Sequence, residues 1–589
     1  MKITKELLDE LTEKAKASPR LRKNYDLRNS EDDQSQRMLN AIEPGSIMPI
    51  HRHRQTSETV VCLRGRLVWE YYDEKKGICT EITEVSANGP VSGLSVPAGQ
   101  WHTVRALESS VILESKEGPY VPLSDADILH LKAKTPDSKK KRIYLCLAHM
   151  SEAGLEQKYI QEAFDTNWVV PLGPNVNGFE KDLKEYVSLN DKGETINDKE
   201  VVALSSGTAA VHLALIACGV EPGDEVIVQS FTFCASSHPV TYLGATPVFV
   251  DSEPDTWNMD PDLLEEAIKD RIAKTGKKPK AIMPVALYGM PYQIDRIMEI
   301  AEKYEIPVIE DAAEGFGSRY NGRVLGTFGK FGVLSFNGNK MITTSGGGAL
   351  ICPDKEAWQK VMWLATQARE SYPYYQHEAI GYNYRMSNIC AGIGRGQMTV
   401  VDEHIAHHQH VQALYEELLK DVEGVKVHAQ PSDVRCQAYD SNYWLVTITI
   451  DPSVKVKGQE NAYKTVVNGA VGGAAGVIHQ ASSAVTDCQP NDNVEAMRVA
   501  LDQADIEARP VWKPMHKQPV YCAPLNDKVK MINEKMPSGV ICRTSASSVA
   551  YVNGVSEGVF KKGLCLPAGP YVTDDDVKYI VDCIKASIL

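Results

Sequence analysis

No Cys-x-x-Cys pair occurs in this chain, and its 13 cysteines are scattered over 589 residues. An odd, dispersed set of thiols does not read as a disulfide framework and fits a reducing, cytoplasmic compartment. No stretch approaches the ~18 consecutive apolar residues that a membrane span needs. The first residues, MKITKELLDELTEKAK, read as a charged amphipathic helix rather than a secretory leader. Positive charge is also scarce. A net charge of -14 disfavours nucleic acid as a partner, yet leaves room for a local phosphate site built from backbone amides. What is present is 43% hydrophobic and 24% charged residues, the balance of a globular enzyme. The length is too great for one core and implies about three or four domains.

Two grammars follow one another. From about 40 to 120 the chain reads as short β runs broken by Gly, Pro and Asn, among them GRLVWEYYD, ICTEITEV, LSVPAGQWHTVRAL and SVILESK. That pattern predicts an antiparallel β-barrel. The basic, proline-broken KAKTPDSKKKR (132–142) reads as a linker. Beyond it strands alternate with helix-length segments: VVALSSG then TAAVHLALIACGV, AIMPVALYG then QIDRIMEIAEKYEIP then VIEDAAE. This alternation predicts a parallel sheet wrapped by helices. From about 395 a smaller α/β domain is expected. The Gly- and Ala-rich NGAVGGAAGVIHQASSAV (468–485) reads as a loop or hairpin insertion. The expected domains are 1–133, a linker over 134–142, a large domain over 143–395 and a small one over 396–589.

One lysine stands out. SFNGNKMITTSGGGAL places Lys340 five residues after Ser335 and just before a glycine run. Asp311 ends the apolar run PVIED, so it is expected to be partly buried and to need a cationic partner. Ser206-Gly207-Thr208-Ala209 joins a strand to a helix, where free amides and the helix dipole favour phosphate. Phe233 follows EVIVQS and is placed to stack on a flat ring. Ligands of α/β sheets bind at the carboxyl ends of the strands, where all four features are expected. An amine, an acid, a phosphate cradle and an aromatic face match pyridoxal 5′-phosphate (PLP). The lysine attaches the aldehyde and later moves a proton, and the acid keeps the ring nitrogen protonated.

The motifs SSGTAAVHLAL, VIEDAAEGFGS, SFNGNKMITTSGGGAL and GYNYRMSN, in this order and spacing, resemble the DegT/StrS sugar aminotransferases over about residues 143–589. The resemblance implies an aminotransferase fold of type I, with a large mixed- or parallel-sheet domain and a smaller α/β domain. It implies Lys340 and Asp311 as catalytic residues, and Ala313 and Phe233 on the two ring faces. Glu314 stands near the ring hydroxyl, where Gln or His is usual. Gly207, Thr208, Ala209 and Ser335 are implied at the phosphate. Asn383 would reach the phosphate of a neighbouring subunit, so a homodimer is expected. The implied substrates are L-glutamate, leaving as 2-oxoglutarate, and a nucleotide-linked keto sugar. PLGPNVNGFE (171–180), IEARPVWKPMHKQPVY (506–521) and FKKGLCLPAG (560–569) resemble the branch that aminates UDP-linked 4-keto-6-deoxy-N-acetylhexosamines for polysaccharide assembly. Arg509, Trp512 and His516 are placed near that sugar nucleotide, with packing roles an open alternative for Trp512 and His516.

GSIMPIHRHRQTSETVVCLRG (45–65) and VPAGQWH match the spacing of the two cupin motifs, except that Ala106 stands where a final Asn is usual. Alternate strand residues face one side, so His51 and His53 can both look into a barrel. With Glu58 and His102 they suit Zn, Fe, Mn or Ni; a metal-free barrel with polar core histidines is the alternative. The region 1–130 resembles small cupin metalloproteins of polysaccharide biosynthesis. His404 and His408 in DEHIAHHQHVQ also have helical metal spacing, but no third ligand is visible, and a solvated helix face is expected there. The rival readings of the whole chain are a PLP-dependent sugar dehydratase, in which a histidine would replace Lys340, and a nucleotide-sugar sensor without catalysis.

Overall fold

The structure is a computed structural model. It describes residues 2–30, 33–46, 48–73, 78–118, 127–129, 142–431, 438–463, 488–522 and 548–589. The predicted 468–485 insertion and nearly all of the predicted linker lie outside the described residues. The chain forms two compact units, Met1–Lys141 and Arg142–Leu589.

The first unit opens with the helix Lys5–Lys16, capped by the Thr4 hydroxyl. Its apolar stripe, Leu8, Leu11 and Ala15, packs on Leu39, Ala41 and Val111. The strands form a five-stranded and a three-stranded sheet, antiparallel throughout. The predicted strands are therefore present, but the predicted closed barrel is not: among the described residues the ladder stops between the two sheets. The chain passes from one sheet to the other at Gly65, whose φ is +78°. A Cβ there would meet the Ser109 carbonyl oxygen at 2.5 Å, so a side chain would block the corner. Ile42, Val60, Leu67, Trp69 and Val104 fill the core of this unit.

In the second unit the strands Glu200–Leu204, Gly348–Cys352, Phe331–Ser335 and Ile309–Asp311 lie side by side, as do Ala281–Met283, Glu225–Gln229, Thr246–Val250 and Val549–Tyr551. Parallel bridges from Ile282 to Val308 and from Val285 to Asp311 join the two sets. Gly348–Cys352 alone runs antiparallel to its neighbours. Both faces of this sheet are covered, which is why its strands are apolar without alternation. Val201 and Ala203 belong to the core on one face, Val202 and Leu204 to that on the other. A smaller antiparallel sheet, Val425–Val427, Val446–Ile450, Gly563–Leu566 and Arg509–Pro510, packs with the helices Val401–Leu419, Asp492–Gln503 and Asp574–Ser587.

The helix Val401–Leu419 corrects one expectation. His404 and His408 do not lie on a solvated face; they are buried with Val401, Val411 and Tyr415 along one stripe. His408 Nδ1 lies 3.1 Å from the Tyr443 carbonyl oxygen, and that of His404 3.3 Å from Met341's. Burial pushes His408 down to about 3 from an ordinary 6.5. Unfolded chain therefore takes up a proton near pH 6.5 that the folded chain refuses, so stability falls as pH drops from 6.5 towards 3. This one ring should cost about 2 kcal/mol by pH 5. Denaturant unfolding at pH 7 and pH 5 should show the loss, and His408→Gln should lessen it; an unchanged difference between the two pH values would rule this histidine out as the cause.

Candidate active site

The carboxyl edge of the large sheet gathers the predicted residues. Asp311 ends its strand, Ser335 ends the next, and Gly348, paired with both Ser335 and Leu204, lies at the same edge because its strand runs the other way. The helix Gly207–Ala217 starts just beyond Leu204. A cavity of about 320 Å³ opens there, lined by Gly207, Thr208, Phe233, Asp311, Ala313, Glu314, Ser335, Lys340 and Trp512.

Each side chain is held by its surroundings. Ser206 caps the helix by accepting the Ala209 N–H at 3.0 Å. Ala209 is thereby committed to the cap, while the first-turn amides of Gly207 and Thr208 are of the kind that a helix leaves without an internal acceptor. The glycine run explains itself here: a Cβ on Gly348 would lie 2.4 Å from the Gly207 nitrogen, and one on Gly347 2.2 Å from Thr344 Oγ1. Only bare backbone lets this strand pass the helix start.

Lys340 sits in a turn, five residues beyond its strand rather than at the strand end, with its N–H donating to the Asn337 carbonyl at 3.0 Å. Its Nζ lies 3.7 Å from Glu314 Oε1 and 4.2 Å from the centre of the Trp444 ring. Asp311 is buried; Oδ2 accepts from Ser236 Oγ at 2.6 Å and Oδ1 from the Ala313 N–H at 3.1 Å. Glu314 is equally buried and accepts from the Tyr288 N–H at 2.8 Å and Trp512 Nε1 at 3.3 Å. Burial pushes both carboxyls above their ordinary range, against the opposing pull of the Ser236 hydroxyl on Asp311 and of Lys340 on Glu314. Among the described residues two buried acids thus face a single ammonium, and a second cation beside them would favour their charged forms. A protonated heterocycle is such a cation, so the donor set fits PLP.

Phe233 is 50% exposed, its ring 5.5 Å from that of Trp512. Ala209, predicted at the phosphate, does not line the cavity, its N–H being taken by Ser206, and three further predicted residues lie elsewhere. Asn383 is exposed beside Thr366, Arg509 is paired with Glu507 at 2.6 Å, and His516 Nδ1 lies 2.6 Å from Ser230 Oγ; none lines the cavity of this chain. Ser236 and Trp444, by contrast, were not foreseen. Neither belongs to a recognisable motif, and they reach the site from 75 and 104 residues away.

The first unit carries a second cluster. Nitrogens of His51, His53 and His102 all lie within 4.8 Å of one another. His51 Nδ1 is 3.0 Å from the Pro49 carbonyl and His102 Nδ1 2.9 Å from that of Gln100. A carbonyl can only accept, so both Nδ1 atoms carry hydrogen. His102 Nε2 is then a lone pair facing Glu58 Oε1 at 2.9 Å, an arrangement that requires a cation between them, either a second ring proton or a metal ion. Burial, with the charge of His102, lowers His51 to about 4, keeping it neutral. Burial alone would raise Glu58; the His102 and His53 rings beside it and the charge of Lys116 outweigh it and hold the carboxyl well below its usual range. Lys116 was not foreseen as part of this cluster. Its Nζ lies 2.9 Å from Glu58 Oε2 and 2.7 Å from His53 Nε2.

The sheet order and the lysine–acid cavity define a PLP-dependent enzyme of aminotransferase fold type I. Comparison with known proteins narrows this. Residues 151–471 match the DegT/DnrJ/EryC1/StrS aminotransferase family, and residues 3–84 match a domain of unknown function, DUF6016. The chain is 40% identical over 444 residues to the putative pyridoxal phosphate-dependent aminotransferase EpsN of Bacillus subtilis, covering 75% of this chain and 95% of that one. It is 32% identical to the GDP-perosamine synthase of Escherichia coli O157:H7, covering 75% and 98%. A DegT/DnrJ/EryC1/StrS aminotransferase structure from Brucella abortus superposes with a TM-score of 0.57 at 26% identity, covering 74% and 95%. The chain belongs to the DegT/DnrJ/EryC1/StrS aminotransferase family and is a PLP-dependent sugar aminotransferase. Among its described residues no helix is long and apolar enough to cross a membrane.

Proposed function

We propose that this enzyme transfers the amino group of L-glutamate to C4 of a UDP-linked 4-keto-6-deoxy-N-acetylhexosamine, giving a 4-amino-4,6-dideoxy sugar nucleotide for surface polysaccharide. The observation that carries the reading is the cavity in which Lys340 faces two buried acids beside a helix start. Bound there, PLP supplies an aldehyde that accepts an amine and a ring that withdraws electrons. The chain's residues do the rest. Asp311, oriented by Ser236 and the Ala313 amide, accepts the ring N–H and keeps that proton in place. Gly207, Thr208 and Ser335 bind the phosphate, with Asn383 of a second copy completing it in a homodimer. Ala313 and Phe233 cover the ring faces. Lys340 Nζ removes a proton from the donor carbon and later delivers one to the sugar carbon. Trp444, packed beside that amine, limits the directions in which it swings.

A GDP-linked 4-keto-6-deoxy sugar is the second reading, favoured by the perosamine synthase relative. The test is one panel: purified enzyme, PLP, L-glutamate and either UDP- or GDP-linked 4-keto-6-deoxy sugars, with 2-oxoglutarate release and product NMR as readouts. Amination of the UDP substrate alone is expected; turnover confined to the GDP substrate would move the assignment to the second reading, and no release with either would sink both.

For the first unit we propose a cupin-like centre in which His51, His53 and His102 hold one divalent ion, with Glu58 as the carboxylate and Lys116 balancing its charge. Three imidazoles admit Zn, Fe, Mn or Ni. Metal analysis after loading and dialysis should find about one ion per chain in the native protein, and much less in His51→Gln, with transamination unaffected. Metal-free native protein after loading would show that a ring proton, not a metal, lies between His102 and Glu58.

A further inference from the structure

The pocket that the histidine cluster helps to line is larger than an ion needs. It measures about 540 Å³ and, among the described residues, is lined by six basic side chains against three carboxylates. That excess of positive charge stands in a chain whose net charge is -14, so it is local and not a background bias. Arg20, Arg22, Arg52 and Arg54 all contribute to the wall. Arg52 is held over the Trp101 ring at 4.3 Å and lies 3.8 Å from Asp127, which also pairs with Arg54. Arg22 is half-buried, and burial together with the charge of Arg20 lowers its pKa. Arg22 reaches Met48 Sδ and Arg20 is exposed, and guanidinium groups gathered along one wall favour an anion among them. Ile42, Trp69, Val104 and Ile112 add apolar surface to the same wall, suited to an uncharged ligand body.

We propose that this pocket is a second small-molecule site, distinct from the transaminase cavity, that binds a phosphorylated compound: its phosphate at Arg20, Arg22, Arg52 and Arg54, its neutral body directed towards the histidines and Lys116. Guanidinium forks match phosphate oxygens two at a time, which an ammonium does not. The cavity volume is that of an ordinary ligand site. The site stands whether or not the histidine cluster holds a metal, because none of the four arginines belongs to that cluster.

Hydrogen–deuterium exchange of the full chain with inorganic pyrophosphate as probe tests this by position. Slower exchange is expected in peptides covering 18–26 and 50–58. Peptides around 205–210 report separately on the phosphate cradle of the transaminase, so failure of that reading and failure of this one are told apart. In Arg22→Gln/Arg52→Gln the pyrophosphate concentration for half protection at 18–26 and 50–58 should rise by roughly tenfold or more. Arg22→Lys/Arg52→Lys, which keeps the charge and loses the fork, should fall between the two and serves if the glutamine variant does not fold. Absence of protection in the native chain overturns the proposal, as does protection unchanged in both variants. Protection by 2-oxoglutarate without protection by pyrophosphate overturns it in favour of a carboxylate ligand.

Discussion

Lys340→Ala is expected to lower transamination turnover by about 10³–10⁴-fold, the scale of a lost acid–base group, while leaving the fold intact. The side chain is only partly buried and sits in a turn, so truncation leaves no core cavity. What it does leave is Asp311 and Glu314 facing each other's charge without the ammonium, and both carboxyls should rise further from their ordinary range. Borohydride treatment gives a second, independent readout. In the native enzyme it should fix the cofactor's mass on the peptide containing Lys340, and in the variant on none. Lys340→Arg keeps the positive charge beside Glu314 but cannot lose its proton near neutral pH, so it should be as inactive as the alanine variant. More than a tenth of native turnover in either variant would remove Lys340 from the chemistry.

The framework of this site could be read from the chain because its residues sit where strands end. A strand ending in Asp311, a strand running into Ser206 and a strand running through Ser335 put three groups on one edge once the sheet is parallel, and no side-chain detail is needed. The rest depends on tertiary contacts. Ser236 meets Asp311 and Trp444 meets Lys340 only because the sheet and the smaller domain are assembled; nothing local in FCASS or SNYWLV marks them. His404 and His408 show the opposite error. Their spacing of four suggests a metal pattern or an exposed face, although Val401, Val411 and Tyr415 fall on the same helical stripe. That stripe was in the sequence, and it names the buried face. In the first unit the strands were legible from their alternation, but closure was not. Whether two sheets join depends on one corner, and at Gly65 the close approach of the Ser109 carbonyl sets it. Lys116 was hidden for a similar reason: on the strand Ser110–Glu117 it looks like any surface lysine until Glu58 on the paired strand lies opposite it.

Asp311→Asn should cost about 10²–10⁴-fold in turnover with saturating PLP. The substitution conserves shape. An amide can still accept the Ala313 N–H through its oxygen, and its NH₂ can donate to Ser236 Oγ if that hydroxyl turns, so the site keeps both contacts that orient the native carboxylate. Only the charge disappears. The native carboxylate is buried and therefore strongly coupled to any positive charge beside it; removing one partner of a buried ion pair costs about 3–5 kcal/mol, and at 1.36 kcal/mol per decade this gives the stated loss. Ser236→Ala separates charge from orientation. It keeps the carboxylate and frees Oδ2, so it should cost less than the asparagine variant and should shift the acid limb of the pH profile upward, because the hydroxyl is what opposes the effect of burial on Asp311. A structural role for Asp311 would instead lower the melting temperature of Asp311→Asn and leave kcat per folded enzyme unchanged. Near-native turnover in Asp311→Asn would mean that the ring proton is not held by this side chain, and Glu314, the other buried acid of the cavity, would then be the group to substitute next.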